Sequence, residues 1–142
     1  MTNLTERVMV AFGPTCQRFN LPVTEINENE AAIWGNRFAL LVWLDRDGVS
    51  VKYVDLANDD EFKAIDIGSF LVKKRSWIVA DTIPLTDQFE SRINRGLSSY
   101  ARSLEDSAPD ILEGKKDWIV DVTDTPIRLG VSHEHLLRER SG

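Results

Sequence analysis

The sequence predicts an α+β fold: a small antiparallel sheet with a central hairpin, packed against an N-terminal helix and one long amphipathic helix. Three observations predict it. First, Phe38 to Leu44 is apolar on both alternating faces, with Phe38, Leu40, Val42 and Leu44 on one and Ala39, Leu41 and Trp43 on the other, as in a strand covered on two sides. Second, Asp45-Arg46-Asp47-Gly48 leads into Val49, Val51 and Tyr53 alternating with Ser50, Lys52 and Val54, the pattern of a hairpin whose glycine supplies a positive φ. Third, Leu85, Phe89, Ile93, Leu97, Tyr100 and Leu104 form one stripe of a long helix, with Asp87 and Glu90 in its first turn, where acids favour the helix dipole.

The other elements follow in chain order. Leu4, Val8, Ala11 and Phe12 recur at helical spacing after Asn3, and Glu6 stands three residues beyond that Asn, so a first helix starts at Asn3 in a capping-box manner. Gly13-Pro14 interrupts it, and Pro14 suits the first turn of a second helical piece bearing Cys16 and Phe19. From Val23 to Leu56 the period is that of strands, punctuated by Asn27-Glu28-Asn29 and Gly35-Asn36. Asn58-Asp59-Asp60-Glu61 reads as an acidic loop or helix start, and Ile67, Phe70, Leu71 and Lys74 predict a short helix after Asp66, with Lys73-Lys74-Arg75 complementing its C-terminal dipole. Trp77-Ile78-Val79-Ala80 reads as a short strand and Trp118 to Val122 as a late one, separated by Pro109, which cannot continue the long helix. Ser132 to Arg140 reads as a terminal helix or a frayed tail from about residue 130.

No repeat, low-complexity tract or linker divides the 142 residues, so the expectation is one domain over residues 1–142 with one core. An apolar fraction of 42% and the tryptophans at 34, 43, 77 and 118 favour autonomous folding. No apolar run is long enough to span a bilayer, and the first residues lack the basic-then-apolar order of a secretory signal. The expected setting is the cytoplasm, which suits a chain whose single cysteine, Cys16, has no partner for a disulfide. The net charge of -6 disfavours a phosphate-backbone ligand, because nucleic-acid binding rests on Lys and Arg neutralising phosphates.

Motifs that carry chemistry are weak. His133-Glu134-His135 would put both rings on one face of a strand but about 200° apart on a helix. Asp45-x-Asp47-Gly48 starts like a calcium loop, yet Val49 and Val51 stand where further oxygen ligands belong. Arg92, Arg95 and Arg102 share the polar side of the long helix among serines. No phosphate loop, nucleophile elbow or zinc-protease motif occurs. The expectation is therefore no cofactor, no metal, no catalytic residue and no membrane contact. Asp45, Asp47, Asp55, Asp59, Asp60 and Glu61 are the candidate partner-binding residues, since clustered acids speed association with a basic partner. Trp34, beside Gly35-Asn36, is the tryptophan best suited to show a face at an interface.

The order of an amphipathic first helix, the Phe38 to Leu56 hairpin, a short helix at Ile67 to Arg75 and the long helix Leu85 to Leu104, in a small acidic chain, resembles bacterial immunity proteins of contact-dependent growth inhibition and other polymorphic toxin systems. The likeness is one of organisation, size and charge. It implies a non-catalytic inhibitor that binds and blocks the C-terminal domain of a cognate toxin, often a basic nuclease, in the cytosol. Two other classes remain open: a small enzyme or ligand-binding protein with a site between the sheet and the long helix, and an oligomeric adaptor using Trp34 and the apolar faces of the hairpin.

Overall fold

The computed structural model describes residues 3–45, 48–57, 62–75 and 89–141. Along them run α1 (Leu4–Ala11), α2 (Gly13–Phe19), β1 (Val23–Asn27), β2 (Glu30–Gly35), β3 (Phe38–Asp45), β4 (Gly48–Asp55), β5 (Lys63–Asp66), α3 (Ile67–Lys74), α4 (Phe89–Ser107), α5 (Pro109–Leu112), a 3-10 helix (Asp117–Asp121), β6 (Ile127–Arg128) and α6 (Val131–Ser141). The described strands make one antiparallel sheet in the order β1-β2-β3-β4-β5-β6. Every neighbour in the sheet is thus a neighbour in sequence, and the fold is α+β.

Local chemistry sets the element ends. Asn3 accepts the Glu6 N–H at 2.8 Å and caps α1. Pro14 occupies the first turn of α2, which stops at Asn20 with φ 58. Asp66 accepts the Ser69 N–H at 3.2 Å and starts α3. The hairpin pairs Phe38 with Asp55 at one end and Asp45 with Gly48 at the other, and Gly48 takes φ 141.

The alternation of β3 divides two cores. Phe38, Leu40 and Val42 join Val8 of α1, Leu71 of α3 and Ile93, Leu97 and Leu104 of α4 on one face. Ala39 and Leu41 join Phe62, Leu129 and Leu137 of α6 on the other, with Trp34 and Trp43 packed alongside. The C-terminal segment is therefore a docked helix covering the second face. Its Leu137 is fully buried, and Arg138 lies 4.1 Å over the Phe62 ring.

Several expectations change. Trp118 to Val122 is not a strand: the segment turns as a 3-10 helix, with Trp118 2% exposed and Val120 86% exposed. The Trp118 ring meets Tyr53 edge-on at 4.7 Å and Phe70 at 4.9 Å, so one large side chain, rather than an alternating face, supplies the burial. Phe89 belongs to the predicted stripe yet is exposed, being the first residue of α4. β5 and β6 were not legible, since they offer only four and two residues of pattern. Leu85 and the Trp77 to Ala80 strand lie outside the described residues.

Gly35 closes the β2–β3 turn where a side chain has no room. A Cβ there would lie 2.1 Å from Phe38 Cε1, and the Phe38 ring is stacked on Tyr53 at 5.3 Å. Gly35→Ala is expected to cost about 1–3 kcal/mol through overpacking. Urea denaturation checks this; an unchanged midpoint would mean that the Phe38 ring shifts freely.

Candidate functional site

The hairpin register separates Asp45 from Asp55, two of the acids that sequence groups together. Asp45 ends β3 beside Gly48, whereas Asp55 ends β4 opposite Phe38. Seven residues of extended chain, roughly 24 Å at the usual strand rise, lie between the two ends. Asp47, Asp59, Asp60 and Glu61 lie outside the described residues, the last three between Ala57 and Phe62. Trp34 sits at the Asp55 end, because Trp34 pairs with Ala39 and Gly35 with Phe38. The structure thus brings Trp34 and Asp55 to one end of the sheet and leaves Asp45 at the other.

That end is tied by a half-buried cation, Lys116. Lys116 Nζ lies 2.9 Å from Asp55 Oδ1, 3.1 Å from the Tyr53 hydroxyl and 3.2 Å from the Arg37 carbonyl. Burial pushes the Lys116 ammonium down, but its bonds to Asp55 and Tyr53 more than offset this and hold its pKa above the ordinary value. Burial is also the main reason the Tyr53 hydroxyl is raised. The Arg37 carbonyl accepts the Leu56 N–H at 3.0 Å as well, pinning Arg37 at φ 62 in the left-handed region. Asp55 is thereby paired within the fold, and the Arg37 carbonyl of the turn is held by two donors.

On this support Trp34 is half-buried. Its Nε1 donates to Thr24 Oγ1 at 2.8 Å and its backbone N–H donates to the Pro22 carbonyl at 2.9 Å, so β1 holds the indole from both its polar edge and its backbone. The ring borders two adjoining concavities. One, of about 640 Å³, is lined by Pro22, Thr24, Trp34, Arg37, Leu56 and Arg140. The other, of about 590 Å³, extends past Trp34 towards Phe19, Asn20 and Leu112. The larger lies on the α6 side of the sheet, so it is not the space between sheet and long helix that sequence reasoning considered. Between Asp66, Ser69, Phe70 and Asp124 there is only about 10 Å³.

Arg37, Thr24 and Arg140 were missed as site residues. Arg37 carries no signal beyond its place in a two-residue turn, and Arg140 reaches the site only because α6 folds back across the sheet. There it donates to the Glu25 carbonyl of β1 at 3.0 Å.

The remaining reactive groups are engaged elsewhere. Cys16 is half-buried in α2, and burial pushes its thiol up to about 11, away from the reactive thiolate. His133 and His135 stand on α6, which directs their rings apart: His133 Nε2 is 2.7 Å from Glu30 and His135 Nε2 is 4.0 Å from Glu139. Asp124 takes Ser69 and Lys73, and these bonds hold its carboxyl below the ordinary value, Lys73 contributing most. Among the described residues no group of three or more His, Cys, Asp or Glu side chains is arranged to hold a metal ion. No helix among them is long and apolar enough to cross a membrane. No protein-family model, curated protein or solved structure matches this chain.

Proposed function

We propose that this chain is a non-catalytic binding protein of the immunity type, which blocks a cognate toxin domain by engaging it through the Trp34 end of its sheet. The observation that carries the reading is Trp34 itself: a half-exposed indole between two concavities, near the end of β2 and beside a turn whose Arg37 carbonyl accepts from Lys116 and Leu56. Large aromatic side chains on rigid supports dominate protein interfaces, because they bury much area while losing little freedom. The net charge of -6 supports a basic partner through long-range attraction. The acidic run Asp59-Asp60-Glu61 would add to that attraction.

The test is a calorimetric titration against the purified C-terminal toxin domain encoded immediately upstream, at low and at moderate salt. Tight binding that weakens with salt is expected. Trp34→Ala should weaken it by about 2 kcal/mol or more, the scale of an interface hot spot. Reversing Asp59, Asp60 and Glu61 to lysine should slow association and flatten the salt dependence. Absence of heat at every concentration would sink the immunity reading, and full affinity in Trp34→Ala would move the interface away from this end.

A further inference from the structure

Among the described residues, the cavity beside Trp34 is lined by charges of one sign. The protein carries a net charge of -6, yet among the described residues no acidic side chain lines this cavity, and two guanidinium groups, Arg37 and Arg140, do. Neither is paired with a carboxylate among the described residues. Arg140 spends one N–H on the Glu25 carbonyl and keeps the rest of its fork. The turn carries the Arg37 carbonyl inward onto Lys116 and Leu56, and its exposed side chain lines the cavity. Other arginines near the sheet are neutralised: Arg75 makes a two-pronged pair with Asp110, and Arg138 pairs with Glu134. Lys116, also at this end, is matched by Asp55. Among the described residues that line this cavity, Arg37 and Arg140 are thus the charged groups, set around the apolar Trp34, Leu56 and Pro22.

We propose that this cavity is a binding site for a small aromatic carboxylate, its ring lying against Trp34 and Leu56 and its carboxylate taken by Arg37 and Arg140. The chemistry favours this class. A guanidinium fork matches a carboxylate in two parallel hydrogen bonds, and an indole face accepts a flat ring by offset stacking. A volume of about 640 Å³ falls within the usual range for small-molecule sites. The Thr24 hydroxyl already accepts the Trp34 Nε1–H and can donate its own proton to the ligand. The site uses the same Trp34 surface as the proposed interface but does not depend on a protein partner.

The experiment is a titration of the full chain, alone, with 2-naphthoate and with its neutral analogue 2-naphthamide, followed by nitrogen–proton correlation spectra of the Trp34 indole and the Arg37 amide. Saturable shifts at both are expected with naphthoate below about 1 mM, with naphthamide about ten-fold weaker. Arg37→Gln and Arg140→Gln, both at exposed positions that leave the cores intact, should each lower naphthoate affinity about ten-fold and bring it towards that of the amide. The proposal is overturned by no saturable shift at Trp34 up to about 10 mM, by equal affinity for acid and amide, or by glutamine variants that bind naphthoate like the parent. Because no toxin domain is present, failure here leaves the immunity reading standing, and failure of the toxin titration leaves this one standing.

Discussion

Trp118→Ala is expected to lower the stability of the fold by about 3–5 kcal/mol, the usual loss for a buried tryptophan truncated to alanine. The ring is 2% exposed and is held on three sides: edge-on to Tyr53, tilted on Phe70, and through Nε1 to the Lys115 carbonyl at 3.0 Å. Removing it empties the space between β4 and α3. It also loosens the loop that delivers Lys116 to Asp55, so part of the loss is the weakening of that ion pair. Domains are stable by only about 5–15 kcal/mol, and the variant should therefore sit close to its unfolding threshold at room temperature. Trp118→Phe keeps the aromatic contacts and gives up the hydrogen bond, and should recover more than half of the loss. Urea midpoints of the parent and the two variants check both statements; a loss under about 1 kcal/mol for Trp118→Ala would mean that the surrounding side chains collapse into the space.

The second large effect concerns how α6 is held on the sheet. Glu30 of β2 is buried, its side chain 9% exposed, and His133 of α6 reaches it at 2.7 Å with its ring edge-on to Trp43. The Glu30 carboxylate raises the His133 pKa above 6.5, outweighing the opposing effect of burial. A group whose pKa is raised on folding contributes stability that is complete below its unfolded value and is lost as pH rises through the folded one. The fold should accordingly be more stable at about pH 6 than at about pH 8, the range in which histidine titrates. His133→Leu should remove that slope, leave Glu30 buried without its cation, and cost about 1–3 kcal/mol. Glu30→Leu should cost less, because a neutral imidazole needs no counter-ion. Denaturation midpoints against pH decide the matter: a parent flat over this range, or a slope that persists in His133→Leu, would contradict it.

The difference between legible and illegible elements has one cause. Where a segment repeats its period for two turns or several strand residues, burial of one stripe or face leaves few alternatives, and β3, β4, α3 and the greater part of α4 are found where the pattern puts them. The caps at Asn3 and Asp66 are local in the same sense, since donor and acceptor are three residues apart. Trp118 misleads because Trp118-Ile119-Val120 looks like a strand until its partner is known. That partner is a pocket made by Tyr53 and Phe70, far away in sequence. Asp45 and Asp55 show another limit: proximity along a hairpin is not proximity in space, and the register that sets these two at opposite ends is a property of the pairing.

The cavity was the least legible feature. Trp34 drew notice as the tryptophan beside a turn, but Arg37 is an ordinary turn residue in the sequence and Arg140 an ordinary tail residue. Their meeting needs β1 to pair with β2 and α6 to cross the sheet. By itself the sequence determined the α+β class, the hairpin, the two-sided strand β3 and the start of α1 and α3, because each follows from contacts within a few residues or from a repeating period. Only the tertiary structure decided that α6 covers the second face, that Asp55 is spent on Lys116, and that two arginines about a hundred residues apart flank Trp34, because these depend on side chains whose partners are distant in the chain and carry no local signature.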